Sequence, residues 1–193
     1  MKRVSQSDKT VKEFIQLVLI ENIGGLILSG NHYLGFGPQT QAIELIGAIV
    51  EDDAIEKQQS VAESEFETQR KSRRRFYNGI KLFSNQNYIL YCPELRSDPT
   101  YKKDYDLYDN LRSGYAHQLR PTGNIRVTTE LEAINDGNTH LEIDMRTNKL
   151  IIVSELLYRD LKEVCEMVIS MIENGLINHT KPYSNFLGIT KYH

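Results

Sequence analysis

The sequence predicts a mainly α-helical bundle of about five helices, with a small antiparallel β element near the C-terminal third. Three observations carry that expectation. Apolar residues recur at steps of three and four through most of the chain, the spacing of amphipathic helices. Strict alternation appears only between about 124 and 153. At 193 residues, 40% hydrophobic and 25% charged, the chain suits one domain with a full core and is not a disordered one. The expected organisation is a single domain over 1–193, with a β insertion at about 124–153.

The first helix is expected over 10–28, where Val11, Phe14, Ile15, Val18, Leu19, Ile23 and Leu26 form one stripe and Thr10 or Asp8 caps it. The next stretch, "SGNHYLGFGPQ", is rich in glycine and reads as a loop. Pro38 stands where a helix commonly begins, so a second helix is expected over about 39–51. From Glu51 to Glu67 the chain is acidic, and "QRKSRRRFYNGIKLF" that follows is basic. One helix over roughly 56–83 suits both halves, because acids favour a helix N-terminus and bases its C-terminus. Residues 84–100, with Asn85, Asn87, Pro93 and Pro99, read as loop.

A helix over about 100–119 is marked by Tyr101, Tyr105, Tyr108, Leu111, Tyr115 and Leu119, and Pro121 and Gly123 stop it. The alternating "IRVTTE" and "LEIDMR", the turn signals "NDGN" and "TNK", and the apolar "LIIV" read as two or three short strands. A last helix follows Ser154, striped by Leu157, Leu161, Val164, Val168 and Met171, and Gly175 is placed to end it.

Charge and cysteine content narrow the function. A net charge of −3 gives no global basic field, so contact with nucleic acid needs a local patch. Two distant cysteines, Cys92 and Cys165, form neither a metal pair nor a disulfide framework. The opening "MKRVSQSD" lacks the apolar run of a secretory signal, and "FIQLVLIENIGGLIL" is too short and polar to span a bilayer. A cytoplasmic chain without membrane attachment is expected.

Five glycines, Gly24, Gly25, Gly30, Gly35 and Gly37, cluster within fourteen residues, but no Lys and Ser or Thr follow as a phosphate loop requires. A helix–helix connection is the better reading. The histidines at 32, 117, 140, 179 and 193 have no partner at ligand spacing, so no metal and no cofactor is expected. On a helix Arg70, Arg73 and Arg74 share one face. That ridge is either a weak nucleic-acid contact or a solvated face.

The segment "NLRSGYAHQLRP" places Arg112 and His117 five positions apart. Spacing alone is uninformative, since eleven Arg and five His give roughly one such match by chance. The surroundings are more specific. "LYDNLRSGYAHQLRP" resembles the helix end that carries the Arg-x4–6-His motif of HEPN domains (higher eukaryotes and prokaryotes nucleotide-binding). The likeness is firm over about 105–121 and extends loosely to the helices at 10–28 and 39–51. It implies an all-α domain that dimerises and cleaves RNA without metal, in toxin or antiviral-defence settings. Arg112 would hold phosphate, His117 would do acid–base work, and Ser113 and Tyr115 would be supporting polar groups. Ser113 stands where active members carry Asn, Asp or His, and Leu119 where antitoxin-paired members often carry Tyr.

The chemistry suits the residue types. Arg matches two phosphate oxygens with planar donors, and an imidazole can take and give a proton. Their separation is the difficulty: on an α-helix five residues make about 140° of rotation and about 7.5 Å of rise. Either the helix loosens near Gly114, or two protomers bring one Arg and one His each to a two-fold axis. The resemblance implies the second, a homodimer with a composite cleft. The alternatives are a non-catalytic dimeric module that binds nucleotide, RNA or a protein partner, and a helix end in which His117 caps carbonyls and Arg112 pairs with Asp109 or an acid elsewhere.

Overall fold

Thr10 starts the first helix through a reciprocal cap. Its hydroxyl accepts the Glu13 N–H, and the Glu13 carboxylate accepts the Thr10 N–H at 2.8 Å. The computed structural model describes residues 10–55, 65–95, 97–99 and 101–177. Helix α1 (Val11–Phe14) runs without a break through a π-helical stretch, Ile15–Asn22, into α2 (Ile23–Leu28). The expected helix at 10–28 is therefore present, but its middle is wound more widely than an α-helix.

The expected loop at 29–38 is a correction. Only Ser29, Gly30 and Asn31 connect the helices, with Gly30 at φ +81°. Helix α3 (His32–Ile55) already includes Gly35, Gly37 and Pro38. The glycines serve packing: a Cβ on Gly35 would lie 2.6 Å from the Ile27 side chain, so glycine lets α3 lie close against α2. Pro38 lacks the N–H that an interior helical residue donates, yet the helix continues through it.

Helix α4 (Glu65–Lys81) occupies the basic half of the segment expected to be helical over 56–83, and 56–64 lie outside the described residues. It crosses α3 at backbone contact. A Cβ on Gly47 would lie 1.8 Å from the Arg75 carbonyl oxygen, and one on Gly79 2.1 Å from that of Ile43. The stretch read as loop, 84–100, contains a 3₁₀ turn at Gln86–Tyr91. The next helix begins later than expected. A 3₁₀ turn at Lys103–Tyr105 precedes Asp106, which caps a π-helical stretch, Leu107–Arg112, by accepting the Asp109 N–H at 2.7 Å. Helix α5 (Ser113–Gln118) follows, and Leu119 at φ +57° ends it.

The β element is mixed rather than purely antiparallel. Strand β1 (Ile125–Thr128) pairs parallel with β3 (Lys149–Val153), and β2 (Ile143–Asp144) pairs antiparallel with β3, in the order β1-β3-β2. The cause is helix α6 (Glu130–Asp136), which the alternation at 125–130 concealed. Thr129 and Glu132 form a capping box, and Gly137 at φ +68° closes the helix. Helix α6 carries the chain from β1 across to β2, and the turn back from β2 places β3 between them, parallel to β1.

Helix α7 (Ser154–Glu173) packs Leu157, Leu161, Val164 and Val168 inward, as expected, and Gly175 sits at φ +69° beyond it. Phe36, Phe76, Phe83, Ile15, Ile43, Leu107 and Leu161 meet in one core shared by the helices and the sheet. Among the described residues no helix is long and apolar enough to cross a membrane.

Candidate functional site

The Asp106 cap and the π-helical stretch after it set the direction of Arg112. Tyr108 and Leu111 are buried, and the Arg112 guanidinium lies over the Tyr108 ring, 5.7 Å from its centroid. Arg112 Nε donates to Glu44 Oε2 of α3 at 2.5 Å, with 18% of the arginine side chain and 15% of the glutamate side chain exposed. The acid that holds Arg112 is therefore not Asp109, which pairs with Arg73. Among the described residues Nη1 and Nη2 of Arg112 make no hydrogen bond. Glu44 also lines a groove of about 460 Å³ between the 11–28 helix and α3, together with Phe14, Leu19, Ile23, Ala42 and Leu45.

Ser113 is half-buried. Gly114 does not loosen the helix, which is α-helical from 113 to 118. A Cβ there would meet the Arg120 carbonyl oxygen at 2.6 Å and the Thr122 nitrogen at 3.1 Å, so Gly114 makes room for the chain folding back beside α5. Tyr115 is a correction to its expected role as a polar support. It is buried, its ring lies 5.2 Å from that of Phe36 and 6.5 Å from that of Tyr33, and burial pushes its hydroxyl up to about 12.

His117 is exposed. Two residues on, the Leu119 carbonyl accepts a hydrogen bond from the Tyr33 hydroxyl at 2.6 Å. Arg112 ends the π-helical stretch with right-handed helical backbone (φ −63°, ψ −52°) and 113–118 are α-helical, so Arg112 and His117 of one chain leave the helix about 140° apart. The structure brings Arg112 to Glu44 and leaves His117 in solvent.

Of the three arginines expected to form a basic ridge, Arg73 turns inward. Arg73, only 6% exposed, donates through Nη1 and Nη2 to the two oxygens of Asp106 at 3.0 and 2.8 Å. It also reaches the Pro93 carbonyl at 3.0 Å and Asp109 at 2.9 Å, between the rings of Tyr101 and Tyr108. Burial alone would lower its pKa, but the two carboxylates hold it above the ordinary arginine value. Arg73 is thus an interior tie between α4 and the 107–118 helix, not a phosphate contact. Arg74 is half-buried, and the side chain of Arg70 lies outside the described residues.

The other histidines divide similarly. His32 Nδ1 lies 2.6 Å from the buried Ser154 hydroxyl, tying the start of α3 to the start of α7. His140 is bonded to Tyr88 and to the Val153 backbone, and His179 and His193 lie outside the described residues. Among the described residues no group of three or more His, Cys, Asp or Glu is placed to hold a metal ion.

Sequence reasoning missed Glu44 and Tyr33. Glu44 gave one signal, a lone charge inside the apolar run "AIELIGAIV". No family model matches the chain, and neither does any curated protein or any solved structure.

Proposed function

We propose that the chain is a metal-independent endoribonuclease of the HEPN type, acting as a homodimer in which Arg112 of one protomer and His117 of the other share one scissile phosphate. One observation carries this reading. Glu44 holds Arg112 at Nε alone, so the two terminal nitrogens stay available as a fork for two phosphate oxygens, while the only histidine of the motif stands in solvent.

The chemistry follows from the two groups. A neutral His117 takes the proton of the ribose 2′-hydroxyl, and the 2′-oxygen forms a bond to phosphorus. The bond from phosphorus to the 5′-oxygen breaks, and the same imidazole, now protonated, gives that oxygen its proton. Arg112 stabilises the charge that builds on the non-bridging oxygens. The products are a 2′,3′-cyclic phosphate and a 5′-hydroxyl.

Single-stranded RNA incubated with the protein in EDTA tests the proposal. His117→Ala is expected to slow cleavage by about 100-fold or more. Arg112→Lys keeps the charge but loses the planar fork, and is expected to be slower than wild type as well. Equal rates for wild type and His117→Ala would sink the catalytic reading.

A second reading is favoured by the Glu44 contact and by Ser113, which stands where active members of the resembled family carry Asn, Asp or His. It is a non-catalytic dimeric module that binds RNA, nucleotide or a protein. It calls for RNA retention that weakens with salt and with Arg112→Ala, and no cleavage product.

A further inference from the structure

We propose that the groove between the 11–28 helix and α3 binds a small organic amine with an apolar body and a single ammonium group, and that Glu44 receives the ammonium. The assignment goes beyond the reading of Arg112 and His117 and does not depend on it.

The groove has the size and the lining of a small-molecule site. It encloses about 460 Å³, with Phe14, Leu19 and Ile23 on one side and Ala42, Leu45 and Ala48 on the other. The short side chains at 42 and 48 leave the space that longer ones on α3 would take. Val18 and Leu45 line it and are only half-buried, so apolar surface there stays wet until something covers it.

The wall opposite α3 includes the π-helical stretch Ile15–Asn22. Such winding is rare and frequent at functional sites. Its shape is held from α7, where the Tyr158 hydroxyl donates to the Ile20 carbonyl at 2.7 Å. Gly24 leaves room for that tyrosine, since a Cβ there would lie 2.1 Å from the hydroxyl oxygen. The wall is therefore set before any ligand arrives, which lowers the cost of binding.

Charge selects the head group. Two charged side chains line the groove, Glu44 and Arg75, and Arg75 has an interaction partner of its own. Glu44 spends Oε2 on Arg112 Nε, and among the described residues its Oε1 makes no hydrogen bond. A carboxylate accepts through both oxygens, so a second cation can join without displacing the first. Gln41 lies one turn before Glu44 on the same helix face, lines the groove and offers an amide oxygen to a further ammonium hydrogen. A compact ammonium on an apolar stem matches these groups, whereas an anionic head would meet the Glu44 charge.

Calorimetric titration of the full chain with n-nonylamine, n-nonanoate and n-nonanol, each below its micelle concentration, varies the head on one apolar body. Nonylamine is expected to bind at least about tenfold more tightly than nonanoate, with nonanol between them. Glu44→Gln keeps the shape and removes the charge, and is expected to abolish the preference. Val18→Phe fills the groove and is expected to weaken all three ligands by about tenfold or more, with unchanged far-ultraviolet circular dichroism. Leu45→Trp repeats the blocking test from the opposite wall should Val18→Phe fail to fold. No amine binding, equal binding of amine and nonanoate, or a preference that survives Glu44→Gln overturns the assignment. So does amine binding that a folded blocking variant leaves unchanged.

Discussion

His140 shows how a single buried side chain is set by what surrounds it. Its Nδ1 accepts the Val153 N–H at 2.9 Å, and a backbone amide can only donate, so the ring proton sits on Nε2. Nε2 then donates to the Tyr88 hydroxyl at 2.7 Å, which donates to Asp160 Oδ2 at 2.9 Å. Burial, with a smaller push from Arg159, lowers His140 to about 4. The unfolded chain therefore takes up a proton near the ordinary histidine value while the folded one does not. Stability present above about pH 6.5 should fall as pH drops towards 4, by at most about 3 kcal/mol. Asp160, raised by burial, works in the opposite sense lower in pH, within the carboxylate range. Urea midpoints between pH 7.5 and 4.5 check this. His140→Gln should flatten the slope, and an equal slope in that variant would remove His140 as its source. Arg73 belongs to the same scale. Arg73→Ala would leave the buried Asp106 without its cation, at a cost of about 3–5 kcal/mol in urea unfolding. Its burial was not legible in the sequence, because a run of Arg reads as a solvated face and Asp106 lies 33 residues away. Arg112 and His117 were legible from "LRSGYAHQ", whereas Glu44 reaches Arg112 across 68 positions.

At the level of elements, the amphipathic helices were legible because their stripes are local. Val11 to Leu28 and Leu157 to Val168 fold as their spacing indicates. The misreadings have one form: a residue type was read for its backbone preference when packing or a cap had claimed it. Gly35 and Pro38 announced a loop, yet both lie inside α3, and Gly35 faces the Ile27 side chain of α2. Thr128 and Thr129 continued an alternation, yet Thr129 caps α6. Gly47 and Gly79 make the same point where α3 meets α4. Gly47→Ala would set a methyl 1.8 Å from the Arg75 carbonyl, so the helices must separate. A loss of about 3 kcal/mol or more is expected by thermal unfolding, and a neutral result would show that the helices can slide apart freely.

For the whole molecule, the fold class was legible and the meeting of distant parts was not. Alternation identified strands, but their order β1-β3-β2 depends on a crossover that no strand reports by itself. The candidate site has the same character. Helix geometry alone indicates that Arg112 and His117 diverge, but the bond from the Tyr33 hydroxyl to the Leu119 carbonyl emerges only when α3 and α5 are placed together. Charge at the whole-molecule scale also bears on the proposed substrate. With a net charge of −3, the chain repels RNA at long range. Removing an exposed acid such as Glu21 should leave the product pattern unchanged and raise the association rate slightly at low salt, as stopped-flow fluorescence of labelled RNA would record.

The sheet carries a consequence for the order in which the protein is made. Strand β1 has leucine, isoleucine and valine partners only at 150–153, so it emerges from the ribosome well before the strand that pairs with it. The helices up to 118 have their local contacts by then, while residues 125–128 wait, unpaired, for some twenty more to be synthesised. Synthesis halted at 148 would leave that edge bare, which makes the interval between residues 128 and 149 the one in which β1 is most exposed to wrong pairing.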